Sequence, residues 1–188
     1  MWPACKAQAS HMRGATVTGS ETATPSLLLV GYGNTSRRDD GVAAFILQSL
    51  LARLGLDVDR IADDAEVDVS AGLKVLFLHQ LAPELAQLIA EYGTVVFVDA
   101  HVDSAGWEPF SWRSVEPSMD AGMVGHHLKP GMLLALAESL YGNRPETFLL
   151  SVQGHDFDFG EELSDETLPL AEQAIDCLFD LARARGLV

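Results

Sequence analysis

Cysteine is almost absent from this 188-residue chain: Cys5 and Cys177 stand far apart and outside any Cys-x-x-Cys pattern. A disulfide framework is therefore not expected, and a reducing cytoplasm is the compartment the composition suits. Basic residues are scarce as well. Twelve Lys and Arg stand against 27 Asp and Glu, a formal net charge of −15, and no basic stripe runs anywhere along the sequence. This charge excludes a nucleic-acid polyanion as partner and suits a basic or cationic ligand. No apolar run approaches the roughly 20 residues of a membrane span. The first 26 residues, MWPACKAQASHMRGATVTGSETATPS, lack the apolar stretch of a secretory signal. They are rich in Ala, Ser and Thr, and the Ser-His-Met at 10–12 resembles a cloning scar. This arm is read as flexible and set apart from the fold, leaving 27–188 as one domain without repeats or internal linkers.

What remains is 48% hydrophobic and large enough for a sizeable core. The run LLLV at 27–30 reads as a buried strand, and Val42, Phe45, Ile46 and Leu50 recur at helical spacing, predicting a helix over 40–54. Either LDVDRI or AEVDVS supplies a short second strand, and the pattern does not choose between them. KVLFLHQL (74–81) predicts another strand, followed by a helix over 83–92 with proline in its first turn. GTVVFVDAHVD holds a continuous apolar run over 95–98 ending at Asp99, as in strands buried on both faces of a parallel sheet. WEPFSWRSVEP alternates as an edge or antiparallel strand does. A loop, SMDAGMVGHH, leads into a helix over 130–141, and ETFLLSV (146–152) reads as a last buried strand. The final helix is predicted over 165–185, with Ser164 as cap, Asp165 and Glu166 at its positive end, and a stripe of Leu168, Ala171, Ile175, Leu178 and Ala182. Strands alternating with helices define a three-layer α/β/α domain with a twisted, mostly parallel sheet of about five strands.

In such sheets ligands collect outside the carboxyl ends of the strands. The polar groups placed there are Asn34, Asp39 and Asp40 after the first strand, and Asp99, His101 and Asp103 after VVFV. His126 and His127 precede the 130–141 helix, and Gln153, His155, Asp156 and Asp158 follow FLLSV. A dinucleotide loop would need G-x-G-x-x-G, but here Gly31 and Gly33 are followed by Ser36, and Asp39 and Asp40 put negative charge where a pyrophosphate would lie. A cation fits these charges better. Asp40, Asp99 and a histidine could converge as an O, O, N set, which suits nickel, zinc, manganese or iron with positions left open for substrate or water. Set against that, two acids at a helix start can simply answer its dipole, and paired histidines are more often a solvated loop than ligands. Spacing alone leaves the site open.

The order of these pieces resembles the [NiFe]-hydrogenase maturation endopeptidases. GYGNTSRRDDG is similar to that family's G-x-G-N-x-x-x-x-D-[DE]-G stretch, and HQLAPELA, VVFVDA, HHLKPGMLLALA and LLSVQGHDFDFGEELS follow in the family's order to the C-terminus. The resemblance implies an α/β/α domain that removes a short C-terminal peptide from a hydrogenase large-subunit precursor after nickel insertion. It implies Asp40, Asp99 and His126 as the residues that meet the nickel, with His127 one residue away as the alternative and His101 as an additional neighbour. Asp40 or Asp99 would serve as the catalytic base toward an activated water, and Gly33 and Asn34 would line the substrate's path. Nickel would arrive with the substrate rather than be held permanently, and the enzyme would be a cytoplasmic monomer. The rival reading from the same groups is a non-catalytic nickel-binding or chaperone module for hydrogenase assembly. A Rossmann-like nucleotide-binding domain is the third. QGHDFDFGEELS is expected to be structural, a solvated loop with two anchored phenylalanines, rather than a groove for the precursor's tail.

Overall fold

Strands β1 (Leu27–Tyr32) and β4 (Thr94–His101) carry apolar side chains on both faces because helices cover both faces. Leu27, Leu29, Val96 and Val98 point into one core with helix α1 (Val42–Arg53) and helix α4 (Leu168–Ala184). Leu28, Val30, Val95 and Phe97 point into the other, with α2 (Leu85–Ala90) and α3 (Pro130–Tyr141). The computed structural model describes residues 26–56, 65–103, 106–119 and 128–188. Among them β2 (Glu66–Ser70), β3 (Leu73–Leu78), β5 (Phe110–Ser114) and β6 (Glu146–Gln153) complete a sheet of order β2-β3-β1-β4-β6-β5. β3, β1, β4 and β6 run parallel, while β2 and β5 are antiparallel edges.

The layers and the predominantly parallel sheet are as expected, with six strands instead of about five. AEVDVS forms the second strand; most of LDVDRI lies outside the described residues. The edge assignment of the FSWRS strand holds, as does the 130–141 helix. Helix boundaries shift where polar residues have other work. Residues 38–41 wind as a 3₁₀ turn, so α1 starts at Val42 and not at residue 40. α4 starts at Leu168, because residues 164–167 form a turn of their own in which Ser164 Oγ accepts from the Thr167 amide at 3.3 Å. β4 runs two residues beyond Asp99, which therefore lies inside the strand. Cys177 is buried on α4. No helix among the described residues is long and apolar enough to cross a membrane.

β1 is flanked by β3 on one side and β4 on the other, so the chain's direction of progress across the sheet reverses there. The carboxyl ends of β1 and β4 form the crevice where open α/β sheets receive ligands.

Candidate functional site

The loop leaving β1 is held by its own backbone. The Gly33 amide donates to the Leu78 carbonyl at 3.2 Å and the Asn34 amide to the Asp40 carboxylate at 3.1 Å. The Ser36 amide donates to Asn34 Oδ1, the Arg37 amide to the Asn34 carbonyl and the Asp40 amide to the Arg37 carbonyl. Arg38 and Asp39 donate their amides to the Gly160 and Asp156 carbonyls. A phosphate cradle needs free amides pointing at the ligand. Here seven of them are committed within the protein, which removes the physical basis of the nucleotide reading. Gly33 has a φ of +145°, and a Cβ there would come 2.1 Å from the Asp40 carbonyl oxygen. Only glycine fits. Gly33 and Asn34 thus shape the loop that presents Asp40.

The acidic pair divides its labour. Asp39 is fully buried and accepts five hydrogen bonds. Its Oδ2 receives the amides of His155 (2.8 Å) and Asp156 (2.9 Å) and the hydroxyls of Ser164 (2.7 Å) and Thr167 (2.8 Å), while Oδ1 receives the Ser164 amide (2.8 Å). Burial alone would raise its pKa, but the bonds from Ser164, His155 and Asp156 outweigh it and hold the carboxyl at about 2. Thr167 spends its hydroxyl proton on an acceptor, so His155 Nδ1, 2.9 Å from that hydroxyl, must be the donor between them. Gly154 is needed beside this cluster: a Cβ would meet the Phe157 ring at 2.6 Å. Asp39 therefore pins the segment after β6 to the loop after β1.

The same segment engages the two arginines. Arg37 donates twice to the Phe157 carbonyl, at 2.9 and 3.1 Å, and Arg38 pairs with Asp156 at 2.8 Å. QGHDFDFGEELS is thus tied to the loop after β1; of the two phenylalanines expected as anchors, Phe157 is half-buried, but Phe159 is 89% exposed and is not one. In the sequence Asp39 and Asp40 look equivalent. The Ser-x-x-Thr spacing of Ser164 and Thr167 passes for an ordinary helix cap, and nothing local shows that it binds a carboxylate 125 residues away.

Asp40 remains partly accessible, and Asp99 on β4 lies close enough to feel its charge. Burial raises the Asp99 pKa to about 7, against the lowering effect of a hydrogen bond from Tyr32 and of the Ala100 amide at 2.8 Å; the charge of Asp40 pushes it further up. Two carboxylates that feel each other, one holding its proton near neutrality, are a site for a cation or for proton transfer. Sequence alone does not single out Tyr32. Its one signal is parity: it continues the face of Leu28 and Val30, opposite Asp99 once β1 and β4 pair.

His101 engages its neighbours through one side of its ring, and its buried Nε2 has no hydrogen-bond partner among the described residues. Its Nδ1 lies 2.8 Å from Ser151 Oγ, and its ring packs on Trp107 with centroids 5.2 Å apart. Burial, then the charge of Arg113, lowers its pKa. His126 and His127 lie outside the described residues. Among the described residues no group of three or more His, Cys, Asp and Glu side chains is disposed to hold a metal ion. The structure therefore brings Asp40 and Asp99 close enough to feel each other's charge.

The sheet order and helical layers resemble those of solved hydrogenase maturation proteases. Superposition on solved structures carries this likeness. The hydrogenase maturating endopeptidase HybD from E. coli aligns over 86% of this chain and 94% of its own, with 18% identity and a TM-score of 0.60. The [NiFe] hydrogenase maturation protease HybD from Thermococcus kodakarensis aligns over 84% and 99%, with 22% identity and a TM-score of 0.58. An endopeptidase from Escherichia coli, solved in solution, aligns over 86% and 94%, with 17% identity and a TM-score of 0.61. No family model and no curated protein matches the chain in sequence.

Proposed function

We propose that this protein is an endopeptidase that removes the C-terminal extension of a [NiFe]-hydrogenase large-subunit precursor after nickel has been inserted. The observation that carries the reading is the pair Asp40 and Asp99, set at the carboxyl ends of β1 and β4 in a fold shared with hydrogenase maturation proteases. The names of those neighbours supply the reaction; the carboxylates supply a chemistry consistent with it. Two acids and one imidazole, His126, would take coordination positions that a substrate-bound nickel still offers. The cation itself would then certify that the precursor is loaded. Without thiolates in the set the affinity for free nickel stays low, which suits an enzyme that leaves the metal in its substrate.

Asp99, with its pKa near 7, is the group best matched to accept a proton from the attacking water and return it to the leaving amine. Asp40, held against the Asn34 amide, stays oriented toward the same crevice. The protein acts as a monomer in the cytoplasm, with the precursor as its partner. Incubating it with nickel-loaded and nickel-free precursor and measuring intact masses tests the proposal. Loss of the C-terminal peptide from the loaded form alone supports it. Stoichiometric binding with no change in mass would establish the chaperone reading instead.

A further inference from the structure

Tyr32 ends β1 immediately before Gly33, and the peptidase chemistry above makes no use of it. β1 and β4 pair in parallel through Gly31 and Val98, so Tyr32 is the next position along, beside Asp99. Its ring packs edge-on against Phe97, with centroids 6.4 Å apart and planes at 76°. Among Leu28, Val30 and Phe97 a phenylalanine would fill this place equally well. The hydroxyl is what packing does not require, and it is hydrogen-bonded to the Asp99 carboxylate. A carboxylate on a short side chain still rotates about its last torsion. The Tyr32 hydroxyl and the Ala100 amide both donate to it and restrain that rotation. Tyr32 also leads directly into the Gly33–Asn34 backbone whose Asn34 amide holds Asp40. One residue therefore joins the supports of both carboxylates.

We infer that Tyr32 is a positioning residue: its hydroxyl sets the Asp99 carboxylate in the orientation, relative to Asp40, in which both meet the substrate. The inference rests on the peptidase reading for its catalytic consequence. It depends on geometry, because misplacing a reacting group by an ångström is enough to cost about a hundredfold in rate. The ring, held by Phe97, is rigid enough to hold the carboxylate to that tolerance, and only two torsions are fixed to place its hydroxyl.

Tyr32→Phe removes one oxygen and keeps the ring. For cleavage of nickel-loaded precursor, kcat should fall about 10- to 100-fold, as expected for losing one hydrogen bond to a charged group, with KM unchanged within about twofold. Melting temperature should stay within about 2 °C of wild type. In apo protein carrying ¹³C-labelled aspartate, the Asp99 carboxyl signal, assigned by its loss in Asp99→Asn, should shift in Tyr32→Phe. An unmoved Asp99 signal, an unchanged kcat, or a fall in activity matched by a large fall in melting temperature would overturn the inference. If wild-type protein leaves the precursor intact, the peptidase reading fails; the carboxyl signal then still decides whether Tyr32 orients Asp99.

Discussion

Replacing Asp39 by Asn converts one carboxylate oxygen into an amide nitrogen at a fully buried position. The amide can turn its oxygen toward the four donors now served by Oδ2, from His155, Asp156, Ser164 and Thr167. Its NH₂ then faces the Ser164 amide, donor against donor, where Oδ1 now accepts at 2.8 Å. The wild-type carboxyl falls from 3.8 to about 2 on folding, which makes the ionised form worth about 2 kcal/mol. An unpaired buried donor adds about 1–3 kcal/mol. The variant should therefore lose about 3–5 kcal/mol near neutral pH, or roughly 6–20 °C in melting temperature for a chain of this size. The pH dependence carries the sharper signature. A depressed folded pKa contributes stability that is complete above about pH 4 and disappears as pH falls toward 2. Urea denaturation of both proteins from pH 2 to 7 isolates this contribution, since all other carboxylates are common to both. The difference between them should shrink by about 2 kcal/mol between pH 4 and 2. A variant as stable as wild type at pH 7, or a gap that does not narrow in acid, would refute Asp39 as the pin between the two loops.

Other outcomes are equally concrete. Asp99→Asn should abolish precursor cleavage yet raise the melting temperature above pH 7: a folded pKa raised to about 7 means stability falls as pH climbs from about 4 to 7, by up to about 4 kcal/mol, and the amide escapes that loss. For the wild-type enzyme, kcat/KM should rise with an ionisation near pH 7, read from a pH–rate profile. Gly33→Ala should cost more than about 2 kcal/mol in urea denaturation, because a Cβ meets the Asp40 carbonyl at 2.1 Å and φ is +145°. His126→Ala should stop cleavage while His127→Ala retains most of it; the reverse result would move the ligand by one residue.

The layers of this fold were legible because its central strands are apolar without interruption. LLLV and VVFV admit little else than strands covered on both faces, and the α4 stripe fixes one helical face. Helix starts were less legible, because residues 38–41 and 164–167 carry cap-like polar groups that serve a long-range cluster. In the site, Asp99 could be placed from its position at the end of a buried run, and Asp40 from its place after a glycine loop. Separating Asp39 from Asp40 was beyond the sequence, since which of two adjacent acids turns inward depends on Ser164 and Thr167, far along the chain. Tyr32 was hidden for a related reason: its partner becomes visible only once β1 and β4 are known to be neighbours.

The peptidase reading is tested most directly by the mass of a nickel-loaded large-subunit precursor after incubation with wild-type protein and, in parallel, with Asp99→Asn. Loss of the C-terminal peptide with wild type, with the precursor left whole by Asp99→Asn, is the predicted result. A precursor that keeps its full mass with wild type, or is shortened equally by both proteins, would contradict it.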